Sequence, residues 1–193
     1  MATILLFHHA LGQTPGFHAV AKDLRKAGHT VHTPDLFDGK TFATIEDGLA
    51  HVESTGGFDE IIRRGVASAD GLPADLVYAG FSLGVVPAQK LVQSRPGARG
   101  AVFGYSCVPP AMFGTPWPAG VPVEIHIKED DKWAEEDLPA ARELARDVPG
   151  ARLFVYPGSG HYFADPSSSD FDPEAAKLFR ERTLAFLGRI DAG

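Results

Sequence analysis

Asp75-Leu76-Val77-Tyr78-Ala79-Gly80-Phe81-Ser82-Leu83-Gly84 runs from a continuous apolar segment straight into a G-x-S-x-G pentapeptide. The apolar half is too short for a helix and reads as a buried strand. Leu83 to Ser94 is helical in composition and stops before Pro96. The pentapeptide therefore falls on a strand–turn–helix junction, the context in which it carries chemistry. Such a turn holds the serine in a strained conformation and lifts its hydroxyl clear of the sheet. Small residues on either side let the strand and helix backbones approach closely. The start of the helix beneath favours developing negative charge. A bland reading, in which Ser82 merely caps the helix, competes with the nucleophilic one and loses to the strand and helix around it.

Outward from this junction, short apolar runs alternate with helical patterns. Ile4-Leu5-Leu6-Phe7 reads as a strand, and Phe17, Val20, Ala21 and Leu24 recur at helical spacing before Gly28, a C-cap residue. Thr30 to Thr33 resumes strand character. Ile45, Leu49 and Val52 suggest a short helix in an irregular stretch, and Phe58, Ile62 and Val66 mark another. Gly100–Gly104, Val121–Ile127 and Leu153–Tyr156 read as strands, with Leu138, Ala141, Leu144 and Ala145 on one helical face between the last two. Asp172-Pro173-Glu174 opens a final helix in the order N-cap, proline, acid. Mostly apolar strands separated by helices predict a doubly wound α/β fold with a mostly parallel sheet, covered on both faces. With no repeat, linker or low-complexity tract, residues 1–193 read as one domain. Strand order does not follow from the pattern.

The 193 residues are 44% hydrophobic and 22% charged, as in an ordinary globular protein. A formal net charge of −7 with no Lys/Arg cluster argues against nucleic-acid and anionic-membrane partners. The apolar runs are strand-sized and the N-terminus lacks a basic region before its first apolar run, so a transmembrane span and a signal peptide are not expected. Cys107, the one cysteine, precludes an internal disulfide and reads as an inert small hydrophobe. A cytoplasmic location is the resulting expectation.

A serine nucleophile needs a base. Among eight histidines, His161 lies in Gly158-Ser159-Gly160-His161, directly after the last strand and before the last helix. Reactive groups of open α/β sheets sit at the carboxyl ends of strands, and the order serine, acid, histidine fits. The acid is sought after the preceding strand, where Glu129, Asp130 and Asp131 follow in a row. Asp131 is preferred because a turn after the strand swings its carboxylate towards the histidine; Asp130 is the alternative. The oxyanion of an acyl-transfer intermediate needs two backbone donors, for which the amides of Leu83 and Ala10 are the candidates. His8 and His9 are neighbours on an extended backbone and point apart, so a shared metal ion is not expected. His126 reads as a packing histidine; His18, His29, His32 and His51 are expected to be exposed. His9, Phe37, Trp133 and Tyr162 are candidate substrate-pocket residues, with Phe113 and Trp117 as further possible apolar walls.

Taken together, the motifs resemble the dienelactone hydrolase family of α/β-hydrolases. The resemblance rests on Leu6–Gly12, Pro34–Phe37, Gly80–Gly84, His126–Trp133 and, most specifically, Tyr156–Asp165, and runs from about Ile4 to Leu187. It places Asp131 at the triad position and implies a cofactor-free esterase or lactonase acting on small substrates. The chain departs from the family's namesake enzymes by Ser82 in place of cysteine, His9 in place of a glutamate, and Asp165 in place of an arginine that helps grip a substrate carboxylate. An acid at that position is expected to repel a carboxylate, which makes dienelactone itself a poor fit. The short length leaves no room for a separate lid domain and predicts a shallow crevice. The competing reading is a catalytically silent relative that binds a ligand or a partner. A transferase using the same acyl-enzyme is a further variant.

Overall fold

A computed structural model describes residues 1–193. The strands are β1 (Thr3–Phe7), β2 (Thr30–His32), β3 (Leu76–Phe81), β4 (Gly100–Gly104), β5 (Val123–Lys128) and β6 (Ala151–Tyr156). The helices are α1 (Pro15–Lys26), α2 (Ile45–Ser54), α3 (Gly57–Ala67), α4 (Val85–Ser94), α5 (Asp137–Asp147) and α6 (Pro173–Ala192). All five strand pairings are parallel and the sheet order is β2-β1-β3-β4-β5-β6. The chain therefore starts in the sheet's interior, steps out to β2, and returns past β1 to β3. In such open sheets a ligand site forms beyond the carboxyl ends of the strands, where the winding reverses.

Alternation along the strands divides the core in two. Leu5 and Phe7, with Leu76, Tyr78, Ala101 and Phe103, face α2 to α5. Ile4 and Leu6, with Val77, Ala79, Phe81 and Val102, face α1 and α6. β5 is the strand whose sequence alternates most clearly, and it is nonetheless buried along its whole length. Val123, Ile125 and Ile127 pack towards α5, while Glu124, His126 and Lys128 lie beneath α6. Each of the three has a partner there: Arg189 for Glu124 at 2.6 Å, the Tyr156 hydroxyl for His126 at 2.8 Å, and Asp172 for Lys128 at 2.7 Å. Burial of polar groups is tolerated when they are paired in this way.

Local signals explain the helix ends. Thr14 accepts from the Phe17 amide to cap α1, and Asp172 accepts from Glu174 and Ala175 to cap α6, each followed by proline. Gly28 takes φ +96°, the left-handed conformation that terminates the α1 segment. The face of α3 differs from the expectation drawn from Phe58, Ile62 and Val66. Ile61 and Gly65 are buried, with Gly65 tight against Pro87, whereas Phe58 is exposed. The close approach of α3 to α4 needs a residue without a side chain, and that rotates the helix. Of the four histidines expected on the surface only His18 is exposed; His29, His32 and His51 are half-buried, and the ring of His51 packs against Phe37 and Phe42.

Candidate active site

Ser82 sits at the carboxyl end of β3 with φ +50°, a left-handed conformation unusual for a side-chain-bearing residue. The neighbouring glycines make that turn possible. A Cβ on Gly80 would collide with the Gly84 carbonyl, and one on Gly84 would lie 2.6 Å from the carbonyl oxygens of Phe7 and His8. Gly84 thus brings the elbow onto the end of β1. His161 follows β6 and Asp131 follows β5, so three separate strand ends converge. The Ser82 Oγ lies 2.8 Å from His161 Nε2, and His161 Nδ1 lies 2.6 Å from Asp131 Oδ2. The Nδ1–H donates to the carboxylate, which leaves Nε2 as the acceptor facing the serine. Asp131 is itself fixed by the Trp133 amide, which donates to Oδ1 at 3.0 Å. Asp130 is exposed and its backbone amide bonds the Gly158 carbonyl, so its side chain is not brought to the histidine. Behind His161 lies Tyr105, fully buried at the end of β4 with φ +72°, its ring centroid 5.7 Å from the imidazole.

The loop after β1 brings Ala10 beside Ser82 and Leu83 in one cleft. Its two histidines do point apart. His8 is buried against Phe17 and Phe37, bonds the His9 carbonyl through Nδ1, and accepts from the Leu36 amide at Nε2. Burial lowers its pKa to about 4, so it is a neutral strut between β1 and the loop after β2. His9 accepts the Leu11 amide at Nδ1 and donates from Nε2 to Asp165 Oδ2 at 2.9 Å. It does not line the cleft; its ring packs on Tyr162 at 4.4 Å, and Tyr162 packs on His161 at 4.7 Å. His9 therefore backs His161 through the Tyr162 ring, and the Tyr162 hydroxyl lies near Ser82. Asp165 differs from expectation in the same way. Burial alone would raise its carboxyl, but hydrogen bonds from His9, Ser167 and Thr14 outweigh it and hold the group well below the usual range. Its charge is spent inside the protein and does not face a substrate.

The cleft over Ser82 has a volume of about 210 Å³. Of the aromatic wall candidates only Trp133 borders it, half exposed. Phe37 is 0% exposed and belongs to the core beneath α2. Trp117 packs edge-on against Phe103, and Phe113 lies under the Lys90 ammonium. The walls that sequence reading missed come from α2, α3 and α4: Ile45, Leu49, Phe58 and Val86. Helical spacing gave no sign of this, because a stripe beside a cleft and one in a core have the same period; the exposure of Phe58 shows only in the structure. Gly48 of α2 seats directly on the Ala10 carbonyl, which ties this wall to the loop. The structure also places Asp137 in the cleft. Burial raises its carboxyl, against hydrogen bonds from the Ser106 side chain and the Cys107 backbone that lower it. Cys107 is buried and its thiol is pushed up to about 12 by burial, which leaves it unreactive.

An elbow serine at the carboxyl edge of a parallel sheet, linked to a histidine and an acid from later strand ends, defines an α/β-hydrolase. Solved structures share the architecture. A dienelactone hydrolase-like promiscuous phosphotriesterase from metagenomic libraries aligns with a TM-score of 0.79 and 15% identity, over 98% of this chain and 87% of that one. Dienelactone hydrolase from Anabaena variabilis aligns with a TM-score of 0.69 and 16% identity, over 98% and 86%. At such identities the likeness speaks for the fold. The model of the dienelactone hydrolase family matches residues 1–191, and the chain belongs to that family of ester and lactone hydrolases. A curated relative from Azospirillum brasilense, named "Putative carboxymethylenebutenolidase", is 39% identical over 70 residues, 34% of this chain and 29% of that protein.

Proposed function

We propose that this chain is a serine hydrolase that cleaves a small, uncharged carboxylic ester or lactone through an acyl-enzyme on Ser82. The observation that carries the reading is the continuous chain from Ser82 Oγ to His161 at 2.8 Å and from His161 to Asp131 at 2.6 Å. His161 Nε2 takes the Ser82 proton as Oγ attacks the substrate carbonyl carbon. The resulting oxyanion is held by the amides of Leu83 and Ala10. The Leu83 N–H belongs to the first turn of a helical segment, where amides lack an acceptor within the helix. The Ala10 N–H donates to no backbone carbonyl. Collapse expels the alcohol, which receives its proton from His161. A water activated by the same imidazole then hydrolyses the acyl-enzyme and frees Ser82.

Substrate charge follows from the walls. Ile45, Leu49, Phe58, Val86, Val108 and Trp133 offer an apolar surface to an acyl or alcohol group. No Lys or Arg lines the cleft, while Asp137 does. A second carboxylate on the substrate would meet that acid with no cation to balance it, so neutral esters and lactones fit better than dienelactone. Asp137, not the inward-facing Asp165, is the group that disfavours the anion.

Hydrolysis of p-nitrophenyl acetate by the wild type and Ser82→Ala, side by side, tests the reading. Turnover in the wild type that falls by about 10³-fold or more in the variant is expected for loss of a triad nucleophile. Equal rates across short acyl esters and lactones, in folded protein, would move the chain to the silent ligand- or partner-binding relatives.

A further inference from the structure

The cleft over Ser82 is not the most spacious apolar cavity of the molecule. Between α1 and α6, on the other face of the sheet, lies a cleft of about 290 Å³ that shares no residue with the first. Its walls include Leu24 from α1 and Phe179 and Leu184 from α6. Inward it meets an apolar void of about 20 Å³ against the sheet, bordered again by Leu24, Phe179 and Thr183. The volume is near the lower end of small-ligand pockets, roughly 300–1,000 Å³.

Two features distinguish this gap from imperfect helix packing. Thr183, 6% exposed, lines both the cleft and the void, and its Oγ1 is buried with no hydrogen-bond partner. An unpaired buried hydroxyl is unfavourable. A water in the apolar void would find one polar neighbour where it needs two or more. The mouth is cationic: Lys177 and Arg180 border it against one acid, Asp23. Arg180 reaches Asp23 at 3.4 Å across the opening, and the other ion pairs at α6 use Arg189, Asp172 and Asp191, which leaves the Lys177 ammonium uncommitted.

We propose that the α1–α6 cleft is a second binding site, for an aliphatic hydroxycarboxylic acid. Its carboxylate lies at Lys177 and Arg180, its chain against Leu24, Phe179 and Leu184, and its hydroxyl on Thr183. A simple fatty acid satisfies the rim and the walls but leaves Thr183 unpaired. An aliphatic alcohol satisfies the interior but not the rim. Only a molecule polar at both ends meets all three requirements. None of these features involves Ser82, so the site stands or falls independently of the hydrolase reading.

Calorimetric titration of the Ser82→Ala protein with ω-hydroxydecanoate, decanoate and decanol tests the proposal without turnover. One molecule of ω-hydroxydecanoate should bind per chain, up to about tenfold tighter than decanoate, the range of one added hydrogen bond. Thr183→Val, nearly unchanged in shape, should erase that difference while decanoate still binds. Lys177→Glu should weaken both acids and leave decanol unchanged. Ala176→Trp should block the cleft; Thr183→Val decides the matter if that variant does not fold. Absence of saturable binding at millimolar concentration, or an unaltered preference in Thr183→Val, would overturn the site. So would binding that survives Ala176→Trp and is lost in Val86→Trp, which would place the ligand over Ser82.

Discussion

Ser82, His161 and Asp131 are separated by long stretches of chain, yet each is held by a local device. The serine is held by a left-handed φ, the histidine by the tilted rings of Tyr162 and Tyr105 packed against it, and the acid by the Trp133 amide. The neighbouring Asp130 has none of these constraints. Asp131→Asn should therefore lower p-nitrophenyl acetate turnover by roughly 10³- to 10⁴-fold, because an amide cannot stabilise the imidazolium or hold its tautomer. Asp130→Asn should leave turnover within a few-fold of the wild type. Comparable losses in the two variants would remove Asp131 from the proposed mechanism. Ser82 and His161 were legible as residues because glycine punctuation and position after a strand select them. Asp131 was less so: among three acids in a row the preference rested on the expected turn and on the family resemblance, with Asp130 as the alternative.

At the level of elements, the elbow depends on how closely β3, the start of α4 and the end of β1 approach. Gly84 packs against the Phe7 and His8 carbonyls and directly follows Leu83, so added volume there acts on structure and chemistry together. Gly84→Ala should destabilise the protein by about 1–3 kcal/mol, the usual range for overpacking. It should also lower kcat, since any shift of β1 against the elbow moves the Ala10 and Leu83 amides apart. Urea unfolding and steady-state kinetics on the same preparation check both. A normal kcat in a destabilised variant would separate the glycine's packing role from catalysis. Helices α2 and α3 show the limit of periodicity at this scale. Their existence was readable from Ile45, Leu49, Val52 and Phe58, but not the assignment of Ile45, Leu49 and Phe58 to a substrate wall. A helical stripe next to a cleft and one buried in a core have the same spacing.

For the whole molecule, the buried histidines make stability depend on pH. His8 is lowered to about 4 and His126 to about 3, both by burial, and His9 is lowered by burial as well. Unfolding returns each to an ordinary value near 6.5. The unfolded chain then binds protons that the native state refuses, so this stability is complete above about pH 6.5 and is lost as pH falls towards 4. Asp165, held low in the fold, adds a further loss below about pH 4. Glu124, raised by burial, works in the opposite sense. Unfolding free energy should fall between pH 7 and 5 with a slope of up to about 1.4 kcal/mol per pH unit for each histidine that stays neutral. A flat profile in denaturant titrations across that range would mean that these rings are hydrated or already charged in the native state. At this scale too, no helix is long and apolar enough to cross a membrane.

The sequence by itself determined the α/β class, nearly every strand and helix, the elbow at Ser82 and the histidine after the last strand. Those features are written in short-range patterns: apolar runs, helical spacing, caps and glycines whose requirements act within a few residues. Tertiary structure alone decided the strand order and the inward turn of Asp165 onto His9. It also decided that Phe37 is core, that Phe58 borders the cleft, and that Asp137 faces it. Each of these depends on which segments meet across the sheet. A side chain's pattern states that it can be buried or paired, while its partner, often more than a hundred residues away, is set by how the whole chain packs.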